Sequence, residues 1–565
     1  MPRIHVINLK GTQAEMGTQY GQIMRASGPQ EDTHRCLTSL SMRLLMDANH
    51  RSLGGRLSQA AIWVAMQVAM RRLHRHRPQE YVERSRAFFR CVGMPMSTAK
   101  HLVLMDAFQN LVGRAGGANI GPFAQRAGRA MTAACSSTVV WDDTSNDGLL
   151  RHARNFDYPC VGVWDVQPAV VFCDPADGLR YGYVSTLGVD IPGVTGFNEA
   201  GICVAAHTRF HRRVRFDGRC IVDLCHDIVR RASTIEEAVA RCREHPIAST
   251  WGICISSAAE HQAVVVETTG DGVFVVRPSS NENAIVCTNR NRHPESMPGQ
   301  VAPMPAWREH SDSRTSRMKS VVAEGKGRGG LGAVDLMQLL GDRVDPQTGV
   351  ERAGGGVISQ AMTVQSVVFS PEESTAYVSV GDAPTGQGPY VSIPWDWSAS
   401  VGHQELSPDP VWSGHVANAT PAEEAYAFWC EASRVDVEEH RSAKTLALVE
   451  QAVALHPDEP TYRFMAGVLQ LRHGQWAVAL AHFDVGTQAV QSTFRTVQCW
   501  VWGARAADAA GQPDRARQWR LDALERADAH TAPLHALARE EMDRPCARSK
   551  LRRLIYNVDL VDATL

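Results

Sequence analysis

The sequence predicts an antiparallel α+β domain followed by an all-α domain. Between residues 135 and about 395, β-branched runs such as "STVVW", "AVVFC", "HQAVVVET" and "QSVVFS" alternate with turn residues. Two helical stretches, "CIVDLCHDIVRRASTIEEAVARCREH" and "AVDLMQLLGD", interrupt those strands, as expected for a helical layer over a hairpin-built sheet. After the Pro-, Ala- and Ser-rich stretch "SPDPVWSGHVANATPAEEA" (407–425), apolar residues recur almost entirely at helical spacing.

The first segment, 1–134, opens with an extended run, "IHVINLKGT". It then turns helical in "AEMGTQYGQIMRA", "HRCLTSLSMRLLMDA", "SQAAIWVAMQVAMRRL" and "AKHLVLMDAFQNLV". The opening "MPRIHVINLKGTQ" has no apolar core followed by a small-residue cleavage site, so no signal peptide is expected. The apolar patch "LSQAAIWVAMQVAM" is too short and too polar to span a bilayer and reads as a buried helix. A cytoplasmic protein is the expectation. "RRLHRHR" (Arg71 to Arg77) is a basic helix end, either solvated or in contact with an anion.

The strand-rich segment, 135–405, is punctuated by Asn146-Asp147-Gly148, Asp177-Gly178 and Gly270-Asp271-Gly272, all hairpin-type turns. "GKGRGGLG" (325–332) lacks the Gly-Lys-Ser/Thr ending of a phosphate-binding loop and follows no clear strand, so it reads as a loop. A linker over 406–424 leads to the helical segment, 425–565. There a helix ends at "LHPDEP", the next carries Gly467 and stops at Gly474, and the one after carries Ala479 and Phe483. "CWVWGARAADAAGQPDRARQWRLDAL" repeats the layout, with Gly511 lying 37 positions beyond Gly474. Residues 420–530 thus resemble the tetratricopeptide (TPR) repeat, which implies a protein partner; an ordinary helical bundle is the other reading.

The composition is that of a globular protein, with 44% hydrophobic and 21% charged residues. A net charge of -2 gives no field to recruit nucleic acid or an anionic membrane, and neither partner is expected. The 14 cysteines are scattered through a long chain without a Cys-x-x-Cys pair. Cys220, Cys225 and His226 come nearest to a metal cluster but have no second ligand pair at a usual spacing, so they read as core. No metal or cofactor is expected.

Cys135 stands apart. It follows the small Ala134, precedes Ser136, Ser137 and Thr138, and heads a hairpin whose second strand carries Arg154 and Asp157. A guanidinium near a thiol favours the thiolate, and a carboxylate can orient an amine or guanidinium. His152 could act as a base in a Cys-His pair. So could the α-amine of a cysteine freed by cleavage of the preceding bond, which ordinarily titrates at about 7.7–8.0. That amine is carried by the nucleophile's own residue.

Four motifs in order support a family resemblance. They are "GTQAEMGTQYG" (Gly11, Glu15, Gly17, Gly21), Cys135 with "RNFD" (154–157), "GFNEAGICVAA" (196–206) and "CTNR" (287–290). Over about 4–385 the chain resembles the acyl-coenzyme A:6-aminopenicillanic acid acyltransferase (isopenicillin N acyltransferase) family. That family belongs to the cysteine N-terminal-nucleophile (Ntn) hydrolases, with the choloylglycine hydrolases. The resemblance implies a four-layer αββα sandwich, made as a precursor that cuts itself between Ala134 and Cys135. It implies a Cys135 acyl-enzyme formed from a small-molecule amide or thioester, acyl-CoA included, and resolved by water or an amine.

Residue by residue, the resemblance makes Arg154 and Asp157 the pair that positions and tunes the nucleophile. Asn289 falls near the α-amine and the oxyanion. Arg314 matches a late family arginine, with Arg317 equally close. Related hydrolases place an oxyanion Asn ten positions beyond the residue matching Asn198; here Thr208 stands there, with His207 as an alternative donor. The arginines of "HTRFHRRVRFDGR" (207–219) either line the site mouth for an anionic substrate or keep an exposed edge soluble. Two rivals stand beside this reading: a non-catalytic scaffold binding partners through its helical domain, and an uncleaved cysteine protease using His152 or His207.

Overall fold

Most strands fall into two sheets, and alternation of side chains along each strand gives each sheet an inward and an outward face. The computed structural model describes residues 3–27, 53–95, 100–117, 134–279, 281–415 and 420–565; the helix expected over "HRCLTSLSMRLLMDA" lies outside them. In the larger sheet, nine strands run in the spatial order Gly272–Val276 (β10), Gln262–Thr269 (β9), Trp251–Ser257 (β8), Ile202–Thr208 (β7) and Thr195–Asn198 (β6). It continues with Tyr181–Thr186 (β5), Pro168–Pro175 (β4), Ile4–Gly11 (β1) and Gly402–Leu406 (β15). Neighbours are antiparallel except β1 and β4, which run parallel.

The smaller sheet has six antiparallel strands. Their order is Ala284–Cys287 (β11), Ser136–Asp142 (β2), Gly148–Asp157 (β3), Thr363–Ser370 (β12), Thr375–Ser379 (β13) and Tyr390–Pro394 (β14). Inward residues of both sheets share their cores. Val170 and Phe172 cluster with Val367 and Phe369, and Ala205 and Cys254 with Val139 and Trp141.

Helices cover the outer faces. The amino-terminal ones are α1 (Gln13–Ser27), α2 (Leu53–His74), α3 (Gln79–Cys91) and α4 (Leu104–Gly117). At the start of α1, Glu15 Oε2 accepts from the Thr12 amide at 2.7 Å and the Thr12 hydroxyl at 2.8 Å, a capping arrangement entered through Gly11 at φ +110°. A Cβ on Gly17 would lie 2.2 Å from the Arg84 carbonyl oxygen, and one on Gly21 2.8 Å from that of Phe88. The spaced glycines of "GTQAEMGTQYG" therefore let α1 and α3 pack backbone to backbone.

Helices α5 (Ile221–Arg231) and α6 (Ile235–Glu244) pack on the larger sheet. Met318 of α7 (Trp307–Gly327) receives the Thr138 hydroxyl, and α8 (Ala333–Leu340) lies on β3 and β12. The result is an αββα sandwich.

The chain divides into two compact units: 1–301 with 318–341 and 363–415, and 302–317 with 342–362 and 416–565. The second unit is a succession of helices: α9 (Pro421–Arg434), α10 (Ser442–Leu455), α11 (Pro460–His473), α12 (Trp476–Gln488), α13 (Thr493–Ala509), α14 (Pro513–Glu525) and α15 (Ala532–Asp543). Prolines open several first turns, where the missing N–H is not needed. One close contact recurs: a Cβ on Gly467 would meet the Phe483 ring, and one on Gly503 the Trp519 ring. Both members of the contact shift by 36 positions, which is the structural content of the repeat.

Two features of this unit lie outside the sequence-level division. A short hairpin, Ile555–Asn557 with Asp562–Thr564, closes the chain. The unit also draws in the two internal segments, where Arg495 pairs with Glu309 at 2.7 Å and Gly355 donates to the Asp559 carbonyl at 3.0 Å. Among the described residues no helix is long and apolar enough to cross a membrane.

Candidate active site

Cys135 sits immediately before β2 and is buried. The β2–β3 register sets Ser136 across from Asn155 and Ser137 across from Arg154. Folding the hairpin thus carries the guanidinium back to the cysteine, with Nη2 at 3.8 Å from Sγ. The same guanidinium donates to the carbonyls of Val194, just before β6, at 2.7 Å and of Ala206 in β7 of the facing sheet at 2.9 Å. It also lies 5.1 Å from the Phe156 ring centroid. Burial pulls the Arg154 pKa below its ordinary value, and the Cys135 sulfur leads the groups that oppose that pull. A fixed cation at this distance stabilises negative charge on sulfur.

Asp157 ends β3 and accepts from the Thr363 hydroxyl at 2.7 Å. Its charge acts on Arg154. Around it Phe156 stacks on Tyr158 at 5.1 Å, and Trp164 leans on both rings at 5.2 and 5.6 Å, giving one side of the site an aromatic wall.

Asn289 follows β11 and donates from Nδ2 to the Thr208 carbonyl at 2.9 Å. The structure therefore brings Thr208 and Asn289 together through a main-chain oxygen. The Asn289 loop is held by Glu267, a carboxylate in the middle of β9 that accepts from the amides of Arg292 at 2.7 Å and His293 at 3.1 Å. Glu267 also pairs with Arg209 at 2.7 Å, both side chains essentially without solvent contact. Arg209 in turn donates to the Thr288 carbonyl at 3.1 Å and to the Cys287 sulfur at 3.4 Å. This pair is absent from the sequence-level site. Its signal is the Glu inside the apolar run "AVVVETT", a position where a carboxylate requires a partner. Of the arginines between 207 and 219, Arg209 is thus interior, while Arg212 and Arg213 are exposed.

His207 is buried, with Nδ1 3.0 Å from the Ala205 carbonyl and Nε2 without a hydrogen-bond partner among the described residues. Burial, followed by the charges of Arg154 and Arg209, holds its pKa well below the usual imidazole value. His152, on β3, meets the Ser256 hydroxyl at 3.0 Å, and burial lowers its pKa to about 3. Asn198 commits both amide hydrogens to the end of α5, donating to Val229 at 2.9 Å and Ala232 at 2.8 Å. Its Oδ1 accepts from the amides of Ala200 and Ile202, both at 3.1 Å, so its side chain builds the "NEAG" turn. Arg314 belongs to the second unit, where it bonds to His310, and Arg317 pairs there with Asp342 at 2.6 Å. Ala134 is buried beside Cys135.

Cys220 donates to Asp223 at 3.0 Å, and His226 stacks on Tyr81 at 4.1 Å with its Nε2 2.8 Å from the Tyr181 hydroxyl. These are interior packing contacts. Among the described residues no group of three or more His, Cys, Asp or Glu is arranged to hold a metal ion.

Residues 153–384, which carry Arg154, Asp157 and Asn289, match the model of the acyl-coenzyme A:6-aminopenicillanic acid acyl-transferase family. Cys135 immediately precedes β2, the strand hydrogen-bonded to the first matched strand, so the candidate nucleophile heads the hairpin on which the matched segment begins. Among solved structures, the Caenorhabditis elegans N-acylethanolamine-hydrolyzing acid amidase (NAAA) ortholog is similar at 17% identity and a TM-score of 0.29, over 42% of this chain and 93% of that one. No curated protein matches the chain.

Proposed function

We propose that the chain is a self-processing Ntn-type amide hydrolase or acyltransferase with Cys135 as nucleophile. The 3.8 Å approach of the Arg154 guanidinium to Cys135 Sγ carries this reading, because it places a fixed cation where a thiolate must form. In the first step the Cys135 sulfur adds to the Ala134 carbonyl and the Ala134–Cys135 C–N bond breaks. This leaves an Ala134 thioester and a free amine on Cys135. Water hydrolyses the thioester, giving a carboxylate on Ala134 and a thiol on Cys135.

In turnover the new α-amine takes the thiol proton as sulfur attacks an amide or thioester carbonyl, then returns it to the leaving amine or thiol. Water or an acceptor amine releases the acyl group. Asn289 Nδ2 supplies a donor for the developing oxyanion, with Arg154 and Asp157 fixing the charge around the sulfur. The low pKa values of His152 and His207 make both imidazoles poor bases near neutral pH, which favours the α-amine. The aromatic wall of Phe156, Tyr158 and Trp164 suits an apolar acyl portion.

Intact mass of the purified wild-type chain and of Cys135→Ala tests the reading. Expected are wild-type fragments ending at Ala134 and beginning at Cys135, both absent in the variant. An intact wild-type chain with full thiol-dependent activity would overturn it.

A further inference from the structure

We propose that a groove on the first unit, between the end of α2 and the loop 214–217, binds a phosphorylated small molecule bearing a ring, of mononucleotide size. Two basic stretches, "RRLHRHR" and the part of "HTRFHRRVRFDGR" beyond Arg209, converge there from positions far apart in sequence, and the proposed chemistry uses neither. Arg72, Arg75 and His76 line one wall of a cavity of about 550 Å³; Val214, Arg215 and Phe216 line the other. That volume lies in the range of small-molecule sites.

Both walls are fixed from behind. Arg77, next to His76, is buried and ion-paired to Asp223 at 2.8 Å, which pins the end of α2. The Arg215 amide donates to Asn110 Oδ1 and to the Ala248 carbonyl, both at 3.2 Å, which pins the loop. The groove's own carboxylate, Asp217, is engaged by Arg215 through two bonds of 3.0 and 3.1 Å. Among the described residues, Arg72 and Arg75 have no carboxylate at ion-pair distance. Arg72, in the last turn of α2, and Arg75, just beyond its end, are like charges three positions apart, an arrangement best satisfied by an external anion.

Guanidinium forks match a phosphate dianion, which accepts several donors at once. Phe216 and Val214 are partly exposed beside them and offer an apolar face to a ring.

The test is titration calorimetry of the full chain with AMP and, separately, with sodium pyrophosphate. The chain should bind AMP, and Arg72→Ala with Arg75→Ala should weaken that binding by about tenfold or more at low salt. Phe216→Ala should remove the advantage of AMP over pyrophosphate while leaving pyrophosphate binding in place. Cys135→Ala should bind AMP as the wild type does, which separates this site from the proposed chemistry. No AMP binding by the wild type, or unchanged binding by the double arginine variant, overturns the proposal. Equal binding of AMP and pyrophosphate by the wild type overturns its ring component.

Discussion

Arg209 and Glu267 form an ion pair at 2.7 Å that solvent does not reach, and the same carboxylate holds the main chain of the loop that carries Asn289. Glu267→Ala should strand the guanidinium in the interior and cost about 3–5 kcal/mol of stability. Glu267→Gln keeps part of the loop contacts and should cost less. Urea unfolding of the three proteins checks the order; equal midpoints for wild type and Glu267→Ala would remove the pair from the account.

Arg154→Lys should fail to replace the arginine. The guanidinium reaches two carbonyls and the sulfur from one plane, and an ammonium cannot reproduce that fork. The expected outcome is processing at least about tenfold slower, since a charge-assisted bond of about 1.5–3 kcal/mol is lost. Cleavage followed by mass over time, with circular dichroism as the folding control, reads this directly.

If the Ala134–Cys135 bond is cut, the two pieces should remain together. Arg84 and Asp190 lie on opposite sides of that bond and pair at 2.8 Å, as do Arg77 and Asp223. Asp106, also from the first piece, accepts from the Ile221 amide and the Trp251 indole of the second. Gel filtration in native buffer should show one peak containing both pieces, separable only in denaturant. Loss of the small piece without denaturant would contradict this arrangement.

His152 gives a pH signature. Its pKa is lowered to about 3 by burial, whereas the unfolded chain protonates it near its ordinary value of about 6.5. The unfolded state therefore binds more protons between these values. The His152 contribution is present above about pH 6.5 and is lost as the pH falls toward 3, by up to about 1.4 kcal/mol per unit. His207 and His310, also depressed by burial, act in the same direction. Urea midpoints of wild type and His152→Gln, measured from pH 7 down to pH 4, should converge or cross in acid; a constant difference would refute the assignment.

The hairpin at Cys135 was legible because strand periodicity and the Asn146-Asp147-Gly148 turn define a local register, and register alone brings Arg154 back to the cysteine. The spaced glycines before it were visible as a pattern, but their reason, the close approach of α1 to α3, needs both helices in place. Arg209 and Glu267 escaped because a buried ion pair joins residues 58 positions apart, and nothing local in "HTRF" distinguishes an interior arginine from its exposed neighbours. The division into two units was only partly readable. Segments 302–317 and 342–362 carry no linker signal, since packing rather than composition assigns them to the helical unit.

The place of β1 in the larger sheet has a consequence for the order of folding. It pairs with residues 169–175 on one side and with residues 402–406 on the other. As the chain emerges from the ribosome, β1 is made before either neighbour, and its second arrives only when the sandwich is nearly complete. Closure of the larger sheet is therefore a long-range, late event, during which the open edges of β1 and β4 offer other chains a place to pair.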